Sequence, residues 1–362
     1  MSWTIVPFNP LAASRDDWSR FHAYRRIRHA ERDPDDSLID DVAKETLLQR
    51  PDPFSVSFRF AALADDPRVV QVGWLAVRVF REGTQSLERN PHWSAFDLEV
   101  IQPYRRRGIG SALLAKAAEI ARARGKTFFI TLVDEPDGTA FLRRIGANFA
   151  NPRRESRLYL GRVDWSMVRR WAEDGPVRSP GTHLRWFRDR IDDDILGAYC
   201  KVFTEVSAQQ PFGEIDFHGL VTTPESIRES ERTTREAGGS GLTVTSVESD
   251  GSISGLTEVL YFSTERTMIE QGMTGVRDAY RGRGLGKWLK AAMLLRLRDE
   301  FPDVRLVWTM NASTNAAMLS INERLGFRIH REGFLVQIPF KDVQRYLETR
   351  KPPAQSVDEG VA

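Results

Sequence analysis

Two copies of one arginine- and glycine-rich motif constrain the fold of this chain more than any other feature of its sequence. The segment "YRRRGIG" begins at Tyr104, and "YRGRGLG" begins at Tyr280, 176 positions later. The same shift places Leu113 on Leu289. Repetition at this spacing predicts two structural units built to one plan. The length of 362 residues agrees with two units, since a domain takes roughly 150 residues.

The sequence around each motif follows one order of predicted elements. Helical segments come first in each half, and three β-rich runs, the motif, a helix, a strand, a second helix and final strands follow. The β-rich runs are 55–64, 68–80 and 93–101 in the first half and 242–248, 252–262 and 266–276 in the second. We therefore predict an α/β (α+β) fold of two tandem units, each a mixed, mostly antiparallel sheet flanked by helices.

The limits of the two units follow from changes in composition. We predict an N-terminal unit over 1–165 and a C-terminal unit over 183–345. The turn-rich segment 166–182 between them is expected to be a connector. The polar, proline-containing segment 346–362 has no periodicity and is expected to be a disordered tail.

Charge and cysteine content exclude several classes of protein. The net charge is only +2, so no overall field attracts nucleic acid or an acidic membrane surface. A single cysteine, Cys200, excludes a disulfide framework and a cysteine-based zinc site, and the scattered histidines show no metal-ligand spacing. No signal peptide or membrane-spanning run is recognisable. We expect a cytoplasmic protein without a metal, with no nucleic-acid or membrane partner.

The motif itself is suited to bind an anion. A strand that ends in a glycine-rich turn and leads into a helix presents the first N–H groups of that helix to an anion. The glycines allow close approach of the backbone, and the arginines add charged hydrogen bonds. A P-loop would need Ser or Thr after Lys287, where Trp288 stands. The three strands before the motif also argue against a dinucleotide-binding βαβ unit.

The pattern R-x-x-G-x-G, preceded by a strand ending in "TGV" and followed by "N…N…LGF", resembles the GCN5-related N-acetyltransferase (GNAT) family. Two copies resemble the tandem members of that family, such as mycothiol synthase. The resemblance implies that the loop amides bind the diphosphate of acetyl-coenzyme A and that the preceding strand pairs with its pantetheine arm. The coenzyme-binding residues implied in the second half are Thr274, Gly275, Val276, Arg281, Gly282, Arg283, Gly284, Leu285, Gly286, Asn311 and Asn315. Those implied in the first half are Leu98, Val100, Arg105, Arg106, Arg107, Gly108, Ile109 and Gly110.

The resemblance also implies a carboxylate base eleven residues before the first arginine of the motif. That count leads to Glu270, with Glu258 on the neighbouring strand as the substitute. Strand alternation places Glu270, Gly272 and Thr274 on one face. In the first half the same count leads to Ser94, which cannot act as this base. We therefore predict that the first half is catalytically impaired.

Two further positions bear on catalysis. The family's tyrosine, which protonates the leaving thiolate, corresponds to Asn322 here and to Leu142 in the first half, so the general acid stays open. Asn311 and Asn315 match asparagines that hydrogen-bond the coenzyme, although asparagine at such positions also caps helices.

We expect an acetyl-coenzyme A-dependent N-acetyltransferase that acts by direct transfer on a primary amine of a small molecule. Two alternatives remain: a non-catalytic sensor or scaffold that binds acyl-coenzyme A, and a protein-lysine acetyltransferase. Phe212, Phe217 and Trp308 form either an acceptor wall or part of the core. The acceptor, the acyl preference and the oligomeric state stay open, and the repeat allows a pseudo-dimer within one chain.

Overall fold

Contacts divide the chain into two units, which we describe separately. Unit 1 comprises residues 1–50, 54–149 and 335 onward, and unit 2 comprises residues 51–53 and 150–334. The computed structural model describes residues 2–350. None of the helices in this range is long and apolar enough to cross a membrane.

Unit 1 contains the first half of the predicted plan. Its elements are β1 (Trp3–Pro7), α1 (Arg15–Arg32), α2 (Asp41–Gln49), β2 (Ser55–Ala64), β3 (Gln71–Phe80), α3 (Gln85–Arg89), β4 (Ser94–Val100), α4 (Ile109–Ala123), β5 (Phe128–Val133) and α5 (Pro136–Ile145). Strands β1 to β4 are antiparallel neighbours in sequence order, and β5 runs parallel to β4.

Unit 2 repeats this plan. Its elements are β6 (Asn148–Tyr159), which begins in unit 1, α6 (Trp165–Arg178), β7 (His183–Arg188), α7 (Asp193–Ala208), α8 (Pro224–Glu236), β8 (Gly239–Val247), β9 (Ile253–Phe262), β10 (Met268–Val276), α9 (Leu285–Glu300), β11 (Leu306–Ala312) and α10 (Ala316–Leu325). The strand order is β6-β11-β10-β9-β8-β7. All neighbours are antiparallel except β10 and β11.

Helices cover both faces of the unit 2 sheet. On one face, which we call the α9 face, Val259 and Ile269 pack with Leu289 in a buried apolar cluster. On the other, the α7 face, Leu256 packs with Tyr199 and Val206 of α7. A tight turn joins β8 to β9, and Gly251 within it takes a φ of +82°. These layers confirm the predicted α/β fold.

The boundaries differ from those we expected. The segment 166–182 is largely helix α6 rather than a connector, because Asp164 caps a helix that continues to Arg178. The last strand, β12 (Arg328–Pro339), passes from unit 2 into unit 1 at Leu335, and α11 (Phe340–Glu348) follows it. The predicted disordered tail is thus helical over residues 346–348. Its part from 351 to 362 lies outside the described residues.

Candidate active site

The arginine–glycine loop of unit 2 enters α9 through two glycines in the left-handed conformation. Gly282 and Gly284 both have a φ of +84°, a conformation that strains other residues. Gly284 is the N-cap of α9, and no side chain caps this end of the helix. The positive end of the helix dipole is therefore open to an anion.

The loop of unit 1 has the same backbone conformation in spite of a different sequence. Arg106 stands at the position of Gly282 and has a φ of +64°, and Gly108 has a φ of +86°. Among the described residues, only Asp189 shares with Arg106 a positive φ without being glycine. The repeat has thus preserved the shape of the turn even where the glycine has been replaced.

The two predicted arginine ligands of unit 2 differ in their contacts. Arg281 lies within 2.8 Å of Asp278 and donates a hydrogen bond to Gln209 at 2.9 Å, both at the exposed rim of the loop. Arg283 instead forms an ion pair with Glu248 at 3.0 Å and donates to the Thr182 hydroxyl at 2.7 Å. The Arg283 guanidinium therefore fixes the loop to the rest of unit 2, which disagrees with the diphosphate contact expected for it.

Three other cations lie at the start of α9. A Cβ atom on Gly284 would lie 3.4 Å from Nε of Arg178, the last residue of α6. Burial, followed by the charges of Arg324 and Arg178, lowers the pKa of Lys287. The sequence reasoning missed Arg178 because it assigned this residue to a connector. The positive charge at the loop is therefore greater than its own arginines supply.

A cavity opens where β10 and β11 separate. Their parallel pairing covers only Met268–Glu270 with Leu306–Trp308. Beyond these pairs the strands diverge around a cavity of about 190 Å³. Residues 270–274 of β10 and 308–312 of β11 form its walls, and Lys290, Asn315 and Arg153 also line it. Beyond Glu270 no ladder pair joins β10 to β11, and the Gln271 carbonyl instead accepts the Thr309 hydroxyl at 3.1 Å.

An irregularity in β10 changes the faces predicted from strand alternation. Glu270 pairs with Leu260 of β9 and Thr274 pairs with Thr257, so four steps along β10 accompany three along β9. The Thr274 hydroxyl accordingly lies 2.7 Å from that of Thr257. Because Leu260 and Thr257 point to opposite faces, Glu270 and Thr274 do as well. The prediction that they share a face is therefore wrong.

The two candidate carboxylates lie close together on the α7 face. Glu270 lines the cavity, and burial raises its pKa, with a smaller effect from Glu265. Glu258 accepts hydrogen bonds from the Met273 N–H at 3.2 Å and the Tyr199 hydroxyl at 3.3 Å. Burial raises the pKa of Glu258 to about 7, and the charge of Glu270 contributes to this shift. Glu258 is thus poised to accept a proton close to neutral pH, and the pKa of Glu270 is shifted in the same direction.

A buried lysine reaches the cavity from α9. Lys290 is only 2% exposed, and its ammonium donates to Oδ1 of Asn322 at 2.8 Å. Asn322 in turn donates to Oδ1 of Asn311 at 2.9 Å. Burial lowers the pKa of Lys290 to about 7. The sequence reasoning missed this residue, although the repeat contained a signal: the equivalent residue of unit 1, Leu114, is fully buried.

The predicted asparagines have structural partners of their own. Asn322 stands at the position of the family's tyrosine, but its amide joins Lys290 to Asn311 and has no acidic proton to give. Asn315 caps α10 by accepting the Met318 N–H at 3.2 Å. Both Asn311 and Asn315 also line the cavity. The Asn315 side chain is therefore placed both to cap α10 and to contact a coenzyme in the cavity.

The corresponding part of unit 1 is occupied by ion pairs. Arg28 is only 7% exposed and contacts Glu31, Glu99 and Glu135. Arg105, an expected coenzyme ligand, pairs with Glu135 at 2.9 Å. Further, Ser94 is fully buried and donates to a backbone carbonyl. The Arg105 guanidinium is thus engaged by carboxylates of unit 1 itself, contrary to its expected role.

The aromatic residues proposed as an acceptor wall lie in different settings. Trp308 lines the cavity. Phe212, in the segment after α7, contacts Phe217 edge-on with ring centroids 4.7 Å apart. The guanidinium of Arg153 lies 5.5 Å from the centre of the Phe212 ring. Phe212 therefore does not line the cavity itself but contacts Arg153, which does.

Comparison with known proteins relates both the sequence and the fold to acetyltransferases. Residues 18–147 match the model of the Acetyltransferase (GNAT) family. This match lies within unit 1. No curated protein sequence matches this chain.

Solved structures resemble the chain over nearly its whole length. A tandem GNAT protein from the clavulanic acid biosynthesis pathway, solved without acetyl-coenzyme A, is 23% identical; the match covers 94% of this chain and 99% of that one, with a TM-score of 0.74. A GCN5-related N-acetyltransferase from Sphaerobacter thermophilus is 14% identical over 93% and 96% of the two chains, with a TM-score of 0.63. At these identities the likeness shows a shared fold, that of two GNAT units in tandem.

Proposed function

We propose that the chain is a tandem member of the GNAT superfamily of acyltransferases, and that unit 2 transfers an acetyl group from acetyl-coenzyme A to a primary amine of a small molecule. One observation carries the proposal. The cavity between β10 and β11 holds a carboxylate with a raised pKa, Glu270, and a buried lysine, Lys290. Acetyl transfer to an amine requires a proton acceptor and a proton donor, and these two groups match that requirement.

The residues around the cavity fit acetyl-coenzyme A. The uncapped N-terminus of α9, the left-handed Gly284 and the cation Arg178 suit a diphosphate. The gap between β10 and β11 suits an extended amide-containing arm lying between the two strands. When bound, the coenzyme supplies the acetyl group as an activated thioester.

Glu270 is the proposed general base. A primary amine with a pKa near ~10 is mostly protonated at neutral pH and must lose a proton before it can attack. Glu270 lines the cavity and its raised pKa makes it a stronger base than an exposed glutamate. Glu258 lies beneath Gly272, where a Cβ atom would come within 3.0 Å of its Oε1. The charge of Glu270 contributes to the raised pKa of Glu258, so the two carboxylates interact electrostatically.

Lys290 is the proposed proton donor to the leaving thiolate. Asn322 cannot replace the family's tyrosine, but it holds the Lys290 ammonium at 2.8 Å beside the cavity. Asn322 and Asn311 orient the ammonium, and Phe327 lies under it with its ring centre 5.2 Å away. The acceptor ammonium gives up two protons: Glu270 passes the first to water before attack and holds the second as the amide forms, while Lys290 protonates the thiolate. Water then returns the proton from Glu270 to Lys290.

A thiol-release assay with acetyl-coenzyme A and a panel of primary amines tests the proposal. Glu270→Gln should lower kcat by ~10²–10⁴-fold, the usual contribution of a general base. Glu323→Gln, an exposed change on α10, is the matched control and should leave kcat unchanged. Equal activity of Glu270→Gln and the wild type would exclude Glu270 as the base. Tight coenzyme binding without turnover on any amine would favour a sensor, and turnover on peptide lysines alone would favour a protein acetyltransferase.

A further inference from the structure

Arg153 is a buried cation without a partner of opposite charge. It lies on β6, is 9% exposed and lines the cavity of unit 2. Its guanidinium contacts the ring of Phe212, and no carboxylate within residues 2–350 forms an ion pair with it. Neighbouring arginines of the same strand differ: Arg154 pairs with Glu332 at 3.0 Å, and Arg157 pairs with Glu155 at 2.9 Å.

A buried guanidinium without a partner of opposite charge lowers the stability of the fold. Arginine stays charged at all physiological pH values, and a buried charge is normally paired or hydrogen-bonded. Burial is the sole cause of the lowered pKa of Arg153, and no nearby anion opposes the shift. The charge of Arg153 therefore remains available to an anion that enters the cavity.

The position of Arg153 indicates whether this anion belongs to the coenzyme or to the acceptor. Arg153 pairs with Ala312 of β11, and Glu270 pairs with Trp308 of the same strand. Since Trp308 and Ala312 are four residues apart, Arg153 and Glu270 point to the same α7 face. The loop for the diphosphate precedes α9, on the opposite face of the sheet. An anion at Arg153 thus shares the face of the base, where the amine must lie.

The segment after α7 fixes the arginine in place. Asn151, two residues before Arg153, donates to the carbonyl of Pro211 at 3.1 Å. This bond holds Pro211 and the following Phe212 against β6, and the Phe212 ring lies against the guanidinium. An arginine held in this way is pre-organised for a planar, bidentate partner such as a carboxylate.

We infer that Arg153 binds a carboxylate of the acceptor, so that unit 2 acts on amines that also carry a carboxylate group. The inference rests on the proposed acetyl transfer and narrows its substrate class. Along β11 the two groups are four residues apart, about 13 Å at ~3.3 Å per residue, and the long Arg153 side chain spans part of this distance. Amino carboxylates of several chain lengths are therefore the appropriate probes.

The test compares matched pairs of acceptors in the thiol-release assay with acetyl-coenzyme A. Glycine, β-alanine, 4-aminobutyrate and 5-aminovalerate are each compared with the corresponding primary amide. The wild type should prefer at least one acid over its amide by about ten- to hundredfold in kcat/KM, the discrimination expected of a charged bidentate contact. Arg153→Met should remove this preference, and Arg153→Lys should retain part of it. Arg154→Met, which breaks only the pair with Glu332, is the control and should keep the preference.

Three results would overturn the inference. The first is equal acetylation of acids and amides by the wild type, and the second is an Arg153→Met variant that loses activity on acids and on amides in equal proportion. The third is a preference set by the acyl donor rather than by the acceptor. The third result is measured with succinyl-coenzyme A against acetyl-coenzyme A, because an anionic acyl group is the competing partner for Arg153. Calorimetric titration of the wild type and Arg153→Met with the preferred acid separates this inference from the proposed function. Arg153-dependent binding without any acetyl transfer would reject the transfer and retain the carboxylate site; absence of both would reject both.

Discussion

Lys290 links the protonation of one side chain to the stability of the whole unit. Its pKa falls from 10.5 to about 7 on burial. Between these values the unfolded chain binds a proton that the folded chain does not, so the free energy of unfolding rises with pH. The slope from this group is up to about 1.4 kcal/mol per pH unit from pH 7 to 10, and it vanishes below pH 7.

Lys290→Met should remove that slope and also change the pH dependence of the rate. Urea unfolding at pH 7, 8 and 9 should show that the free energy of unfolding of the variant exceeds that of the wild type by the largest amount at pH 7. The wild-type kcat should fall above about pH 7 as Lys290 loses its proton, and the variant should be about ten- to hundredfold slower without this alkaline limb. Adding Asn322→Tyr, which restores the family's acid, should recover part of the rate.

The exposed Lys201 of α7 provides the matched control, because Lys201→Met removes a lysine of the same unit that is in contact with water. Its unfolding curve should follow the wild type at each pH. Parallel plots of the free energy of unfolding against pH for Lys290→Met and the wild type would show that Lys290 is charged in the folded chain. An unchanged alkaline limb in the pH profile of kcat would exclude Lys290 as the proton donor.

Sequence reasoning reached some of these residues and missed others for a physical reason. Glu270 follows from a count along the chain between a strand and a loop, and such local spacing is set by backbone geometry. Lys290 and Arg153 depend on burial, which comes from packing between distant segments and carries no local pattern. The repeat contained the only signal for Lys290, since Leu114 at the equivalent position is a core residue.

At the scale of elements, helix α7 limits the size of the side chains that the irregular strand β10 can place on the face that the helix covers. Gly275 lies under α7, and a Cβ atom there would lie 2.0 Å from a methyl group of Val206. The bulge in β10 turns this residue to the α7 face. Alternation alone could not reveal this, because one inserted residue reverses the facing of all that follow.

Gly275→Ala should therefore destabilise unit 2 by about 1–3 kcal/mol, the usual cost of overpacking a core. Adding Val206→Ala should recover part of this loss, since it removes the methyl groups that clash. Gly241→Ala in β8, where a Cβ atom meets no atom within 4 Å, is the control for the change of glycine itself. Urea unfolding compares the wild type, the three single variants and the double variant, and strict additivity of Gly275→Ala and Val206→Ala would contradict the clash.

At the scale of the molecule, the sequence predicted the repeated plan but not how the chain ends are distributed. From α1 and from α7 onward the order of the main helices and strands follows from local periodicity and turn residues, and the structure confirms it. The strands β1 and β7, which precede those helices, and the short helix α3 were not predicted. Which unit takes the last strand depends on long-range contacts that leave no local pattern. For that reason β12 crosses into unit 1 at Leu335, contrary to the expected boundaries.

The repeat also raises the question of how many coenzyme molecules one chain binds. Both loops have the same left-handed turn, yet only in unit 2 do Arg178 and Lys287 add positive charge beside it. In unit 1 the first arginine of the loop, Arg105, pairs with Glu135 and Asp137 instead. We therefore expect calorimetric titration with acetyl-coenzyme A to find one site per chain.

A matched pair of substitutions locates that site. Gly284→Glu should abolish binding, because the new carboxylate lies beside Arg178 and competes with the diphosphate. Gly108→Glu places the same side chain on the same positive φ in unit 1 and should leave the affinity unchanged. The two variants share the backbone strain, so only the site of the anion differs between them. Two sites in the wild type would show that both units bind the coenzyme, and loss of binding with Gly108→Glu but not with Gly284→Glu would assign the site to unit 1.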